Sequence, residues 1–259
     1  MEQLRTPFQG VWNIVRFNWH FYVLALAFLI GLLFANAYLV EKHRIYALIL
    51  FVLALFTTLI SLFVSYYVYD LSDLYKLDWV ENRDENGRNT EGGKKIVNIN
   101  AGFDETSVLL QAKFDKAQLT VLDFYDPKKH TEVSIKRARN AYPPFPNTQQ
   151  VTTSNLTLET HSADKIFVLF AAHEIRDKAE RIVFFKELHR VLKPNGQVFV
   201  AEHLRDTANL LAYNIGFFHF LSKASWYNTF DASHFKIATE FKKTPFITVF
   251  ILKKHDFTP

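Results

Sequence analysis

Two long apolar runs dominate the first quarter of the chain. Phe21 to Val40 carries no charged residue, and neither does Ile45 to Tyr69. Each has the length of roughly 20 helical residues that a bilayer core of about 30 Å requires. Four polar residues, Glu41 to Arg44, separate them, which permits a tight antiparallel connection. The pattern predicts a transmembrane hairpin over about residues 20–40 and 45–69, behind a short N-terminal arm. Trp12, Trp19, Tyr22, Tyr38, Tyr66, Tyr67 and Tyr69 cluster at its ends, as interfacial aromatics do. The alternative, a pair of buried soluble helices, would show periodic polar positions, and these are missing. The first run is too long and begins too late for a cleaved signal peptide. Basic residues are balanced across the spans, so charge does not set the topology.

Beyond the hairpin the pattern changes. Residues 71–95 read as a polar connector, with Glu81–Lys95 charged and holding three of the eight glycines. Short apolar runs then alternate with amphipathic stretches. Lys95–Asn100, Leu119–Tyr125, Gln150–Asn155, Lys165–Ala172 and Gln197–His203 read as strands. Ser107–Phe114, Pro127–Tyr142 and Asp177–Leu192 read as helices. The continuously apolar Lys165–Ala172 suits a strand covered on both faces. Alternation at this spacing predicts a doubly wound, mostly parallel α/β sheet. Phe235–Phe241 and Phe246–Lys254 are joined by too few residues for a helical crossover, so this last pair must be antiparallel.

Composition sharpens the division at residue 70. The first 70 residues hold only four of the 30 Lys/Arg and three of the 26 Asp/Glu. A mean hydropathy of −0.02 therefore averages two unlike parts. A plain soluble protein and a polytopic transporter are both excluded. The absence of cysteine removes disulfides, thiolate metal sites and a Cys nucleophile. The net charge of +4 is too diffuse to imply a nucleic-acid partner.

Several stretches, in order, resemble the class I S-adenosylmethionine-dependent methyltransferases over about Lys94 to Lys254. Ile96–Thr106 occupies the place of the family's glycine-rich turn, and Leu119–Asp126 that of the second strand ending in an acid. Ser162–Asp177 resembles the fourth strand with its polar end. Phe185–His203 resembles the helix, the LKPGG-type turn (here LKPNG) and the fifth strand, and is the most specific of these matches. The resemblance implies S-adenosyl-L-methionine as cofactor. Its implied binding residues are Asn98, Asn100, Gly102, Asp104, Asp123, Phe124 and Ala171. Asp123 is the candidate for the ribose hydroxyls, with Asp126 as substitute. Ligands of open α/β sheets bind beyond the C-terminal strand ends, and a glycine turn lets backbone approach them. The turn departs from the family pattern: of its glycines only Gly102 remains, and Asn98 stands where the family has an acid. Asp104 or Glu105 is the candidate replacement for that carboxylate.

His173, Glu202 and His203 end the fourth and fifth strands on the ligand side and are the candidate catalytic residues. His173 reads either as a proton acceptor or as a packed positioning residue. His173 to Asp177 lacks the second His of a zinc HExxH helix, and no metal is expected. Asn209–Trp226 is aromatic and nearly uncharged. It reads as the cover of an apolar pocket, as a membrane-surface element, or as a helix packed on the sheet. Lys128, Lys129, Lys136, Arg137 and Arg139 form a basic run, either a solvated helix face or a contact for anionic headgroups. The expectation is a membrane-anchored methyltransferase facing the cytoplasm from an inner or cytoplasmic membrane. Its partners would be the lipid bilayer and an apolar small-molecule substrate such as a lipid, quinone or isoprenoid. The alternative is a non-catalytic membrane scaffold with a degenerate methyltransferase fold. A nicotinamide-dependent oxidoreductase fits less well, because GxGxxG is absent.

Overall fold

A computed structural model describes residues 5–80 and 93–255. The expected loop over 81–92 lies outside the described residues.

Three helices open the chain: α1 (Gln9–Phe17), α2 (Trp19–Tyr38) and α3 (Glu41–Tyr66). α2 and the helix continuing from α3 are long and apolar enough to cross a membrane, with mean hydropathies of 2.0 and 2.8. None of the apolar window of α2 is buried, and 11% of that of α3. These helices therefore expose rows of Leu, Ile, Val and Phe that a soluble protein would bury. The connection is tighter than expected. Glu41–Arg44 form the first turn of α3, and only Leu39 and Val40 lie between the helices. An acid in the first turn suits the positive helix N-terminus.

The remaining elements alternate: β1 (Lys95–Asn100), α4 (Ser107–Lys113), β2 (Gln118–Asp123), α5 (Val133–Ala141), β3 (Gln149–Gln150), β4 (Ala163–Leu169), α6 (Lys178–Val191), β5 (Leu192–His203), α7 (Thr207–Tyr213), α8 (Lys223–Ala232), β6 (Phe235–Thr244) and β7 (Ile247–Lys254). The seven strands run in the order β3-β2-β1-β4-β5-β7-β6. The first five are parallel, and β7 pairs antiparallel with both β5 and β6. The doubly wound α/β fold with its antiparallel C-terminal pair is thus as expected.

Local chemistry explains the element ends. Asp177, Asp206 and Ser222 cap α6, α7 and α8, each side chain accepting a backbone N–H of the first turn. The helix expected over Pro127–Tyr142 begins only at Val133. Asp126 instead accepts from Lys128 N, and the Asp126 amide donates to His130 Nδ1, folding a loop. Asn209–Trp226 is not one helix. Asn214, at φ +50, ends α7, and a 3₁₀ segment Asn214–His219 follows. Asn tolerates a positive φ better than most residues.

Alternate residues of the central strands feed two cores, one on each face of the sheet. On one face Ile166, Val168, Val198 and Val200 meet Phe184, Phe185 and Leu188 of α6 and Trp226 and Phe230 of α8. On the other, Phe167, Leu169, Phe199 and Val249 meet Val64 and Val68 from the end of the hairpin, and Leu74, Leu77 and Val80. Residues 71–80 are therefore no polar connector. Leu74, on the 3₁₀ turn Asp73–Lys76, and Leu77 and Val80 just beyond it are buried against the sheet, and the Trp79 ring meets Phe199 and Phe241. The hairpin is rooted in the core of the domain. α1 is fastened as well. Asp70 carboxylate oxygens accept from the Gly10 and Val11 amides at 2.7 and 2.8 Å, an anion on a helix N-terminus. The approach is so close that a Cβ at Gly10 would lie 2.4 Å from Tyr69 Cβ.

Candidate active site

Two clusters occupy the C-terminal edge of the parallel strands. The first lies where β1 and β2 end. Gly102 sits at φ +96, and a Cβ there would meet the Tyr125 ring at 2.9 Å and Arg139 Nη1 at 3.0 Å. Only glycine suits this turn. Asn100 Oδ1 accepts from the Gly102 amide at 3.0 Å. Asn98 is buried and donates to Thr106 Oγ1 and Ser107 Oγ. It ties β1 to α4 rather than facing a ligand. Asp104 Oδ1 accepts from the Thr106 and Ser107 amides at 3.0 and 2.9 Å, while its buried Oδ2 has no hydrogen-bond partner. Glu105 is fully engaged, accepting from Arg5, Asn13 and Tyr75. Of the two candidate replacement carboxylates, only Asp104 keeps a free oxygen.

Asp123 ends β2 as expected and is buried. Its Oδ1 accepts from the Tyr125 amide at 2.8 Å, and its Oδ2 from Arg139 at 2.5 Å. The same guanidinium lies over the Tyr125 ring and approaches the Gly102 carbonyl. Arg139 thus belongs to no solvated basic face. Arg137 and Lys129 also have internal partners, at Phe17 O and Glu180. Asn100, Gly102, Phe103, Asp104, Asp123, Arg139, Tyr142 and neighbouring prolines line a cleft of only about 50 Å³. α1 closes its outer side: Tyr142 donates to Asn13 Oδ1, and the Phe17 ring packs on Phe103 and Tyr142. Phe124 and Ala171 lie outside this lining. Phe124 is a core residue between His130 and Phe184, and Ala171 is buried against the 3₁₀ turn Ala172–Glu174.

The second cluster lies where β4 and β5 end. His173 Nδ1 is 2.7 Å from Glu202 Oε2, and its Nε2 is 3.1 Å from Glu174 Oε1. Burial opposes a charge on His173, but the two carboxylates outweigh it and push the imidazole up to about 10. Burial would likewise raise Glu174, yet His173 and His219 hold it well below the usual carboxylate range. A histidine held protonated is no ready base at neutral pH. Glu202, 1% exposed, is committed to His173 through both the ring and the backbone amide. His219, absent from the sequence reading, joins from the 3₁₀ segment, its Nδ1 2.9 Å from Glu132 Oε1. Arg176 also contacts it. No sequence signal places His219 here, because it arrives after a whole strand and helix have turned back.

His203 stands apart from that cluster. Its Nδ1 donates to Asn209 Oδ1 at 3.0 Å, and its Nε2 accepts from Tyr69 OH at 2.7 Å. The tautomer follows because Asn209 Nδ2 is already donating to Asp206 and to the Phe246 carbonyl. Burial pushes His203 down to about 4. It is a neutral core group that locks the end of the hairpin onto β5.

Comparison with known proteins points to one family over part of the chain. The family model of the methyltransferase domain matches residues 98–200, from the eroded turn through β5. The resemblance to the class I S-adenosylmethionine-dependent methyltransferases holds on that segment and on the fold. Among solved structures, a SAM-dependent methyltransferase from Methanosarcina mazei aligns at 16% identity and a TM-score of 0.48, over 69% of this chain and 95% of that one. A protein from Pyrococcus horikoshii OT3 aligns at 14% and 0.48, over 64% and 84%. A SAM-dependent methyltransferase from Aquifex aeolicus aligns at 13% and 0.44, over 62% and 82%. No curated protein matches the sequence.

The first cluster fits S-adenosylmethionine in kind. A glycine turn without Cβ, the unpartnered Asp104 Oδ2 and the strand-end Asp123 are the acceptors and close-approach backbone that an adenosyl sulfonium requires. They do not yet leave it room, since Arg139 holds the acceptor oxygen of Asp123.

Proposed function

We propose that this chain is a membrane-anchored S-adenosylmethionine-dependent methyltransferase acting on an apolar, membrane-associated small molecule of lipid, quinone or isoprenoid type. The observation that carries the substrate class is the position of residues 207–219. Asn214 Nδ2 donates to the Thr57 carbonyl of α3, nine residues, or about 14 Å of helix rise, before the end of that helix. The segment runs alongside a candidate membrane span. It exposes Leu211, Ile215 and Phe218 at 66%, 84% and 67% while delivering His219 to the polar cluster. An acceptor dissolved in lipid would reach the site past these side chains.

Asp123, Gly102, Asn100 and Asp104 would hold the cofactor, which supplies an electrophilic methyl group when bound. Arg139 must leave Asp123 for the ribose to be bound. The chain's contribution to the transfer is chiefly proximity and orientation. Glu202, through His173, holds the 3₁₀ turn at the end of β4 in place. Residues 1–70 serve as anchor and 96–259 as the methyl-transfer unit, with 71–80 sealing one to the other. The catalytic side and both termini face the cytoplasm, where the cofactor is made. The closed cleft favours a second reading, a non-catalytic membrane scaffold that keeps the fold.

Calorimetry on the full chain in detergent separates the two readings. Micromolar binding of S-adenosylmethionine or S-adenosylhomocysteine that drops at least tenfold in Asp123→Ala supports the enzyme. Well-folded protein that binds neither supports the scaffold. Labelled methyl appearing in a lipid extract, rather than in soluble metabolites, tests the substrate class.

A further inference from the structure

Two histidines, from the turn after β4 and from the 3₁₀ segment Asn214–His219, converge on one carboxylate oxygen. Glu174, buried on the turn after β4, has its Oε1 3.1 Å from His173 Nε2 and 3.6 Å from His219 Nε2. A tetrahedral ion with bonds of about 2.0–2.1 Å sets its ligand atoms about 3.3 Å apart, and the two observed separations bracket that value. One ligand atom from each of the three residues lies within 4.8 Å of the other two. The rings approach from different directions, with centroids 5.0 Å apart and planes at 75°.

A second observation concerns the far side of each ring. His173 Nδ1 rests on Glu202 and His219 Nδ1 on Glu132, at 2.7 and 2.9 Å. Once the ring has given up its second proton, a carboxylate behind the imidazole keeps the remaining proton on Nδ1 and leaves the Nε2 lone pair facing forward. That is how metal-ligating histidines are oriented. Two such pairs aimed at a shared carboxylate exceed what packing requires.

We propose that His173 Nε2, His219 Nε2 and Glu174 Oε1 bind one divalent first-row metal ion, zinc by preference, with a fourth coordination position left open. Two imidazoles and one carboxylate form a borderline donor set that suits zinc. Three protein ligands with an open position are the pattern of a reactive rather than a structural zinc site. Binding displaces the proton shared between His173 and Glu174. It also displaces the guanidinium of Arg176, which lies 2.7 Å from His219 Nε2, contacts Nδ1 of the same ring beside Glu132, and donates to the His219 carbonyl. The Arg176 side chain is 43% exposed and already reaches Glu132, so it can keep that partner while giving up the ring. The HExxH pattern is absent from the sequence because the second histidine comes from the far side of β5. On the methyltransferase reading, the open position takes an oxygen of the acceptor, and the ion lowers that hydroxyl's pKa.

The test is a metal titration of the full chain in detergent after chelator treatment, with Co²⁺ as spectroscopic probe. One equivalent of Co²⁺ should bind with the intense visible bands of four-coordinate cobalt, and one equivalent of Zn²⁺ should bleach them. His219→Ala and Glu174→Gln should lose binding by at least about a hundredfold. Glu202→Gln, which keeps a hydrogen bond to His173, should weaken it about 10–100-fold, with circular dichroism confirming the fold of each variant. No stoichiometric binding by folded wild-type protein, the pale spectrum of six-coordinate cobalt, or equal binding by His219→Ala would each overturn the proposal. The titration needs no methyl donor. Its failure leaves the methyltransferase reading standing, and failure of cofactor binding leaves the metal site standing.

Discussion

The two clusters share one edge of one sheet and are built in opposite ways. Where β1 and β2 end, the family's glycine turn is reduced to Gly102, and an internal ion pair between Asp123 and Arg139 fills the space. Where β4 and β5 end, the partly exposed Arg176 guanidinium lies against the His219 ring. Glu202 and Glu132 hold two histidines toward Glu174. One cluster must give up a buried carboxylate's ion pair before it can act, whereas the other has its histidines already oriented and must release Arg176 from one ring. Arg139 is 34% exposed and has solvent to move into, whereas Glu202 is buried beneath the 15% exposed His173.

The largest effect that distinguishes them is on stability. Glu202→Ala removes the buried acceptor of both the His173 ring and its backbone amide, and breaking such a pair costs about 3–5 kcal/mol. Chemical denaturation should show this, while a loss below about 1 kcal/mol would mean the second cluster is no more rigid than the first. Gly102→Ala forces a Cβ against Tyr125 at an unfavourable φ and should cost about 1–2 kcal/mol, with cofactor binding abolished in calorimetry. Arg139→Ala is expected to work the other way, tightening S-adenosylmethionine binding about tenfold, or about 1.4 kcal/mol, by freeing Asp123. Weaker binding would make Arg139 part of the cofactor site rather than its plug. The smallest effect is on acid stability. His203 and His189 each titrate near 4 in the fold against 6.5 unfolded. They take up protons on unfolding, so the stability they contribute is complete above about pH 6.5 and declines as pH falls toward 4. The urea midpoint followed over that range should fall, and His189→Gln should flatten part of the slope.

The hairpin shows how a local pattern can be right about an element and silent about its setting. The apolar runs place both long helices to within a few residues. They do not reveal that Val64, Val68, Leu74, Leu77 and Val80 continue into the face of the sheet, because a three-residue spacing over ten residues does not say what covers it. Asp123 and Gly102 were legible because each sits at a strand end in a recognisable order. Arg139 was visible only as one member of a basic run. Its partner lies 16 residues away across a loop, and no spacing rule links a helix residue to a strand end through an irregular segment.

The sequence by itself determined the hairpin, the alternation of strands and helices, the antiparallel final pair and the methyltransferase resemblance. All of these are written in windows of a few to about twenty residues, where hydrophobic period and turn chemistry act. Only the tertiary structure decided that His203 is a neutral core residue, that Arg139 closes the cleft, that α1 lies over it, and that His219 meets His173 and Glu174. Those outcomes depend on which side chains share a buried volume once the chain has crossed the sheet several times, and burial and pairing of that kind have no local signature.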